Sequence, residues 1–283
     1  MLRELLIAST CALIAAAPAA ADEWARTYPV TGHPTLVLKT DDADVHVATG
    51  PGRAVELKVT TVGWRIGPHG IYVEARQLGD RVECEVREPR VQFHIGFGFT
   101  RRSVRVDVLL PREVDLDVTS SDGRVALAPV TGSVRVRTSD GDIEAVGLRG
   151  DLHLQTSDGT IHARDLDGAL EAHSSDGGIE VGGRFDRLDL STSDGAIEAD
   201  AGAGSRIETG WTLHSSDGSL TLRVPADLRA DFDLRTGDGV IHLDLPVEVT
   251  GEIGRRELHG RLNGGGPLVQ MRAADGSIRV EPS

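Results

Sequence analysis

The chain has 283 residues, and its 44 aspartates and glutamates outnumber 30 lysines and arginines, which gives a formal net charge of −14. This acidic balance argues against nucleic acid and anionic membrane surfaces as partners, because both carry charge of the same sign. Cations, basic protein surfaces and neutral glycans are compatible with it.

Residues 1–21 have the pattern of a secretory signal peptide. Arg3 provides a positive start, an apolar core runs from Leu5 to Ala17, and three alanines form a small-residue cleavage site before Asp22. The apolar core is shorter than the roughly 20 residues that a membrane span requires. We therefore predict a mature chain, 22–283, without a membrane span, that is exported to the periplasm, the cell surface or the medium.

Cys84 is the only cysteine of the mature chain. No internal disulfide is therefore expected, although an exported compartment would permit one. Cys84 alternates with Val82 and Val86 along a predicted strand, which indicates a small buried side chain. A reactive thiol is the alternative.

The segment 30–50 is predicted to form a degenerate first coil of a repeat that becomes regular later in the chain. When 36–48 is aligned on 134–146, Asp42 falls on a repeated aspartate and Ala43 on a repeated glycine. The apolar positions of the repeat also coincide with apolar residues in this segment: Leu36, Leu38, Val45 and Val47.

Residues 54–110 have a different pattern. The stretch that alternates around Leu78-Gly79-Asp80 indicates a β-hairpin, and 91–110 is a second hairpin candidate. We predict an antiparallel insertion that caps or flanks one end of the repeat array, since an exposed end coil would be a bare edge.

The remainder of the chain, 111–283, is built from repeats. Five Asp-Gly pairs recur at intervals of 18 residues, and three more follow at gaps of 23, 21 and 37 residues. The pairs are Asp122-Gly123, Asp140-Gly141, Asp158-Gly159, Asp176-Gly177, Asp194-Gly195, Asp217-Gly218, Asp238-Gly239 and Asp275-Gly276. A recurrence of this kind is typical of a stacked repeat architecture.

Apolar residues occupy four fixed positions around every one of these aspartates, at −6, −4, +3 and +5. The spacing of two within each pair is the strand period, so each repeat contains two short strands joined at the Asp-Gly corner. One copy cannot bury its apolar face, but stacked copies can.

We therefore predict an all-β fold, a single-stranded parallel β-solenoid with two sheets and about 18 residues per coil, with an antiparallel hairpin insertion near the N-terminus. Right-handed coiling is adopted from the usual crossover preference. A second insertion, 244–267, is predicted to be a hairpin or an irregular coil.

Four segments carry a family resemblance: 106–125, the repeated TSDGxIxA units, 220–241 and 260–280. In this order they resemble the bacterial putative-adhesin family, an exported domain of unknown function with β-strand repeats. The resemblance covers roughly 30–283 and implies an adhesin-like β-solenoid; it supplies no catalytic residues. The Ser-Asp-Gly corners depart from the glycine-asparagine turns that are commoner in the family.

The Asp-Gly corners have a structural interpretation and a chemical one. In a tight turn Asp accepts hydrogen bonds from nearby N–H groups and Gly permits positive φ, so a structural turn ladder explains the motif. The alternative is a calcium ladder, because carboxylates stacked about 4.8 Å apart repel each other. However, calcium requires six to eight oxygens. Ser139 beside Asp140 lacks a positioned histidine base, so we predict no catalytic residues and no cofactor, with calcium as the open alternative.

Two further sets of side chains are candidate sites. On one exposed ladder His162 falls between Glu144 and Glu180, which could bind zinc or copper or could be a solvated sheet face. A possible contact patch at a hairpin tip comprises Phe93, Phe97, Phe99, Arg101 and Arg102; the alternative is that the phenylalanines are buried against the first coils.

A second exposed ladder, at −3 from each aspartate, is polar and carries few aromatic residues. Its members are Arg137, Gln155, His173, Ser191, His214, Arg235 and Arg272. The scarcity of aromatic platforms argues against a broad glycan-stacking site on the sheet faces.

These patterns favour a non-enzymatic scaffold or adhesin-like module of the cell envelope, which presents its surface to an unknown envelope or extracellular protein or glycan. One alternative is a calcium-stabilised binding solenoid. The other is a polysaccharide-acting β-helix enzyme, which would need a cleft and a placed acid–base pair.

Overall fold

The computed structural model describes residues 21–89, 102–249 and 255–283. Within these ranges the chain forms strands, turns and bends and no α-helix, which confirms the all-β prediction. No helix in these ranges is long and apolar enough to cross a membrane. The strands are β1 (Ala21–Pro29), β2 (Thr35–Thr40), β3 (Asp44–Gly50), β4 (Ala54–Val62), β5 (Tyr72–Leu78), β6 (Arg81–Arg87), β7 (Ser103–Pro111), β8 (Asp115–Thr119), β9 (Val125–Leu127), β10 (Thr131–Arg137), β11 (Ile143–Val146), β12 (Arg149–Gln155), β13 (Ile161–His173), β14 (Ile179–Thr192), β15 (Ile197–Ala201), β16 (Trp211–Ser215), β17 (Leu220–Val224), β18 (Ala230–Thr236), β19 (Ile241–Leu243), β20 (Val247–Val249), β21 (Glu257–Leu262), β22 (Leu268–Ala273) and β23 (Ile278–Pro282).

The strands stack side by side into two walls. The first wall has the order β5-β6-β2-β8-β10-β12-β13-β14-β16-β22-β18-β21-β20. The second wall has the order β1-β4-β7-β3-β9-β11-β13-β14-β15-β17-β23-β19. The long strands β13 and β14 belong to both walls, because each of them runs around a corner of the solenoid-like stack.

The sequence period sets the register of the central strands. From β8 to β15 neighbouring strands are parallel, and a residue pairs with the residue 18 positions later, as Val134 does with Leu152 and Ile143 with Ile161. The exception is 166–168 at the corner of β13, where the offset is 17. Equivalent side chains therefore lie directly beside each other, about 4.8 Å apart.

The four apolar positions of the repeat form the core between the walls. Leu152, Leu154, Ile161 and Ala163 of one coil are all buried, and burying a large aliphatic side chain contributes about 1.5–3 kcal/mol. The coil at the C-terminal end of the stack in space differs, because its residues Ile241 and Leu243 are only partly buried. Among the described residues their strand, β19, pairs with β23 alone and so lies at the edge of the second wall.

The order of coils in space differs from their order in the chain at both ends of the stack. Leu36 of β2 pairs with Val82 of β6 on one side and Leu116 of β8 on the other. At the other end β22 lies between β16 and β18, and β23 lies between β17 and β19. The coil made by 268–282 is therefore inserted between two coils that precede it in the chain.

The segment 54–110 differs from the predicted antiparallel insertion. It does contain an antiparallel hairpin, β5–β6, and β4 is antiparallel to β1 and β7. However, β6 and β7 also pair in parallel with β2 and β3 and so extend both walls. Their alternating apolar residues, such as Val82 and Val106, are buried like those of the repeats.

The other predicted insertion, 244–267, contains the antiparallel pair β20–β21, and β21 in turn is antiparallel to β18. The first arm of the hairpin proposed for 91–110 lies outside the described residues, as do 250–254.

Cys84 provides a chemical probe of this packing. Its side chain is 3% exposed, and burial raises the pKa of the Cys84 thiol to about 12, with the neighbouring Glu85 adding to the rise. Because the thiolate is the reactive form, we expect iodoacetamide at pH 8 to alkylate the folded mature chain at least about a hundredfold more slowly than the urea-unfolded chain. Mass spectrometry measures both rates, and equal rates would contradict the burial.

Candidate functional site

Seven of the eight Asp-Gly corners contain a buried hydroxyl two residues before the aspartate; the Asp275 corner has Ala273 there. Thr156 is representative: its Oγ1 donates toward the carbonyl oxygens of Gly141 and Ser139, both at 3.1 Å, and accepts from the Gly159 N–H at 3.2 Å. The buried hydroxyls are those of Ser120, Thr138, Thr156, Ser174, Thr192, Ser215 and Thr236. They join each coil to the next through the interior of the corner.

The corner glycines are required for close approach and not for a special backbone angle. The predicted positive φ is wrong here, because Gly141, Gly159 and Gly177 are absent from the positive-φ residues of the described chain. A Cβ on Gly159 would instead lie 2.2 Å from the carbonyl oxygen of Gly141. Positive φ is found at the opposite corner, for example 120° at Gly150.

The corner aspartates point into solvent. In the part of the chain that the structure describes, the carboxylates of Asp140, Asp158, Asp176 and Asp194 accept no hydrogen bond and form no ion pair. The turn is closed by the backbone, since the N–H groups of Ser139 and Asp140 both donate to the Ser121 carbonyl. The side-chain bond that was predicted for the aspartate is therefore not made.

The aspartates form an exposed column with one carboxylate per coil. At its N-terminal end burial raises the pKa of Asp42, and the negative charges of Asp122 and Asp41 raise it further. Across 21–89, 102–249 and 255–283 no group of three His, Cys, Asp or Glu side chains is placed to hold a metal ion. The calcium ladder thus gains no support from the geometry.

The proposed ligand set Glu144, His162 and Glu180 lies on the outer face of the second wall. The three residues are neighbours in register, but their side chains do not converge on one point. His162 Nδ1 lies 3.1 Å from Glu180 Oε2, whereas Glu144 pairs with the Arg124 guanidinium at 3.3 Å. This arrangement is that of a solvated sheet face, and it does not form a three-ligand metal site.

The outer face of the first wall carries a continuous line of hydrogen-bond donors, which we call the donor stripe. Strand pairing places its nine side chains next to one another. In spatial order they are Lys39, Thr119, Arg137, Gln155, His173, Ser191, His214, Arg272 and Arg235. Each of these side chains can donate a hydrogen bond and none is a carboxylate.

Acidic side chains border the donor stripe. Glu85 and Glu257 pair with its two ends. Near the C-terminal end Asp233 lies 3.0 Å from Arg235 and 3.4 Å from Arg272. Carboxylates also border its central part, where Asp117 lies 3.9 Å from Arg137 and where Glu171 and Asp189 occupy the adjacent row.

A surface depression adjoins this central part. It is lined by Arg135, Arg137, His153, Gln155, Glu171 and His173, together with the core residues Val136 and Leu154. Glu171 bonds His153 at 3.1 Å and pairs in register with Asp189. Burial raises the pKa of Asp189, and the negative charge of Glu171 raises it further.

The aromatic contact patch predicted for the N-terminal region can be followed only in part. Phe93, Phe97, Phe99 and Arg101 lie outside the described residues. Arg102 is described, and its guanidinium lies 4.2 Å from the centre of the Trp64 ring, a cation–π geometry.

Other aromatic residues near this end were not singled out from the sequence. Trp24, Tyr28 and Trp64 are partly buried and pack against the end of the core. Arg26 lies 5.6 Å from the centre of the Trp24 ring.

Residues 35–281 match the family described as Toastrack DUF4097. Among solved structures, a putative lipid binding protein from Parabacteroides distasonis has a TM-score of 0.47 at 16% identity, covering 92% of this chain and 96% of that one. A putative adhesin from Bacteroides fragilis has a TM-score of 0.42 at 10% identity, with 92% and 97% covered. A putative cell adhesion protein from Clostridium sporogenes has a TM-score of 0.32 at 10% identity, with 92% and 99% covered. No curated protein matches the chain at a significant level.

Proposed function

We propose, from the premise that this chain belongs to the Toastrack DUF4097 family over residues 35–281, that it is an exported, non-enzymatic, adhesin-like scaffold of the cell envelope. Its partner-binding surface is the outer face of the first wall. The family match confirms the resemblance carried by the repeated TSDGxIxA units. The adhesin-like role, the export and the binding surface are the proposal.

The proposed scaffold is a two-walled parallel β-solenoid of 18-residue coils with antiparallel strands at its ends. The parallel register of β10 on β12 and of β11 on β13 supports this description. Right-handed coiling follows from the general crossover preference.

The main support for the proposal is that the repeated motif makes its contacts inside the stack. Thr156 donates a hydrogen bond to the preceding coil and Gly159 packs closely against it. The hydroxyl and the glycine of the Ser/Thr-Ser-Asp-Gly motif are therefore used to join one coil to the next. The groups left for recognition are side chains on the outer sheet faces, and a long regular face is suited to binding an extended partner. Surface presentation therefore explains the repeats better than catalysis does.

The enzyme alternative has one structural observation in its favour. Glu171 and Asp189 are adjacent carboxylates, and the pKa of Asp189 is raised by burial, as is common for a general acid in glycoside hydrolysis. They lie on a sheet face and not between loops that could exclude water around a reacting sugar. We therefore assign them to the binding face.

Export can be tested on the natural chain. Cleavage before Asp22 would remove Ala21, which pairs with Val62, and would leave the rest of β1 with its contacts, including the bond from the Ile66 N–H to the Asp22 carboxylate at 2.9 Å. We expect the exported form to begin at Asp22, as read by N-terminal sequencing of the envelope and periplasmic fractions. A cytoplasmic protein that retains residues 1–21 would contradict the proposal.

The binding part of the proposal predicts that the purified mature chain co-sediments with envelope fragments of the producing bacterium without degrading them. The control is a heat-unfolded sample, and the catalytic readout is the release of reducing ends. No co-sedimentation would refute the binding role. Release of reducing ends that disappears in Glu171→Gln would establish the enzyme instead.

A further inference from the structure

We infer that the donor stripe is a binding track for a linear acidic polysaccharide, a polyuronate-like chain that runs along the stack and across the strands. The inference rests on the proposed function, because it names the partner class for the same face. The principal contacts are made by Arg137, Gln155, His173, His214 and Arg272.

The composition of the stripe differs from that of the chain. The chain carries 44 acidic against 30 basic residues, yet all nine stripe positions lack a carboxylate, and four of them are Lys39, Arg137, Arg272 and Arg235. The net charge of −14 therefore does not describe this line of side chains, although carboxylates border it. A ligand rich in acceptors and negative charge is complementary to it.

The geometry of the stripe selects a linear ligand. Its donors recur once per strand, about 4.8 Å apart, and extend over about 40 Å. An extended chain of sugar rings advances by a comparable step, so successive rings can meet successive side chains. Arginine can bind a carboxylate with two parallel hydrogen bonds, and the glutamine, histidine and serine side chains can bond ring hydroxyls. Binding of this kind uses hydrogen bonds and ion pairs and does not need the aromatic stacking platforms that are scarce on these sheet faces.

The bordering carboxylates restrict which polyanions can bind. Asp117 lies 3.9 Å from Arg137, and Glu171 and Asp189 flank the central stripe residues. These charges would repel a densely charged polymer such as duplex DNA, which carries one negative charge per about 1.7 Å. A polyuronate carries one carboxylate per ring, which is a lower charge density, so the same carboxylates repel it less. The arrangement thus favours acidic polysaccharide over nucleic acid.

The test measures binding of a fluorescent oligogalacturonate to the mature chain by anisotropy at low and physiological salt. We expect saturable binding that weakens as salt rises. The double substitution Arg137→Gln and Arg272→Gln should weaken it by at least about tenfold.

The matched control removes the same charge from the second wall, with Arg164→Gln and Arg279→Gln, both exposed in the structure. It should change affinity by less than about twofold, since long-range charge is screened. Circular dichroism melts of both double variants verify that each is folded.

Each other outcome refutes the inference. Equal loss in both double variants would show that net charge and not the stripe governs binding. Tighter binding of an oligothymidylate than of the oligogalacturonate would make the partner a nucleic acid. Absence of oligogalacturonate binding with envelope co-sedimentation retained would overturn the inference and leave the proposed function standing; loss of both would remove the proposed function as well.

Discussion

Replacing Gly159 with alanine is expected to destabilise the protein by more than about 4 kcal/mol, enough to unfold most of it at 37 °C. The new Cβ would lie 2.2 Å from the Gly141 carbonyl oxygen and 2.6 Å from its carbon. Neither atom can move away alone, because both belong to backbone held by the adjacent coil. Urea unfolding followed by circular dichroism measures the change.

Gly182→Ala is the matched control within the same stack. The nearest atoms to a Cβ at Gly182 are those of Asp200, at 3.9 and 4.0 Å, which is ordinary contact. Its stability should change by less than about 1 kcal/mol, since alanine also restricts the unfolded chain. Similar losses for the two variants would show that close packing does not explain the corner glycines.

Thr156→Val is expected to cost about 2–4 kcal/mol although the side-chain volume is nearly unchanged. Valine leaves the Gly159 N–H without the acceptor it has at 3.2 Å and the Gly141 carbonyl without the donor it has at 3.1 Å. Both groups are buried, so water cannot replace the lost partner cheaply. The same urea titration measures the loss.

Thr156→Ser distinguishes the hydroxyl from the rest of the side chain. Ser174, at the equivalent position of the next coil, makes the same bonds to Gly159 and Gly177. The serine variant should therefore lose less than about 1.5 kcal/mol, the cost of one buried methyl group. If valine proved as stable as serine, the hydroxyl ladder would contribute nothing to the corner.

The local architecture was predictable because its signals are local. Alternation of apolar residues with a spacing of two identifies strands and their buried faces, and Leu152, Leu154, Ile161 and Ala163 are buried as expected. The role of the corner glycine was not predictable in the same way. A sequence shows that Gly159 follows Asp158, but it does not show that a carbonyl of another coil lies against it.

The order in which the coils stack at the two ends could not be predicted from the sequence. Every coil presents the same apolar positions, so any coil can in principle stack on any other, and Met271 pairs as well with Leu213 as with Leu234. The sequence indicates only that the chain leaves the stack and returns, through the gap of 37 residues before Asp275 and the 80 positions between Asp42 and Asp122.

For the candidate sites, the sequence predicted which residues are neighbours but not where their side chains point. Spacing placed His162 between Glu144 and Glu180 correctly, but Arg124 of the adjacent coil determines where Glu144 points. The ladder of polar residues at −3 was visible, whereas its spatial order, with Arg272 before Arg235 and Lys39 included, requires the strand pairing.

The interleaved ends determine how this kind of protein can change in length. Between 111 and 201 successive coils of the chain are also successive coils in space and repeat every 18 residues. A duplication or deletion of 18 residues there would alter the long dimension by one strand spacing, about 4.8 Å, and would leave both closures intact. The same event near 36–47 or 211–243 would remove a neighbour on which another coil depends. The length of the stack can therefore change only in steps of one strand spacing. The length of polymer that the first wall could bind would change in the same steps.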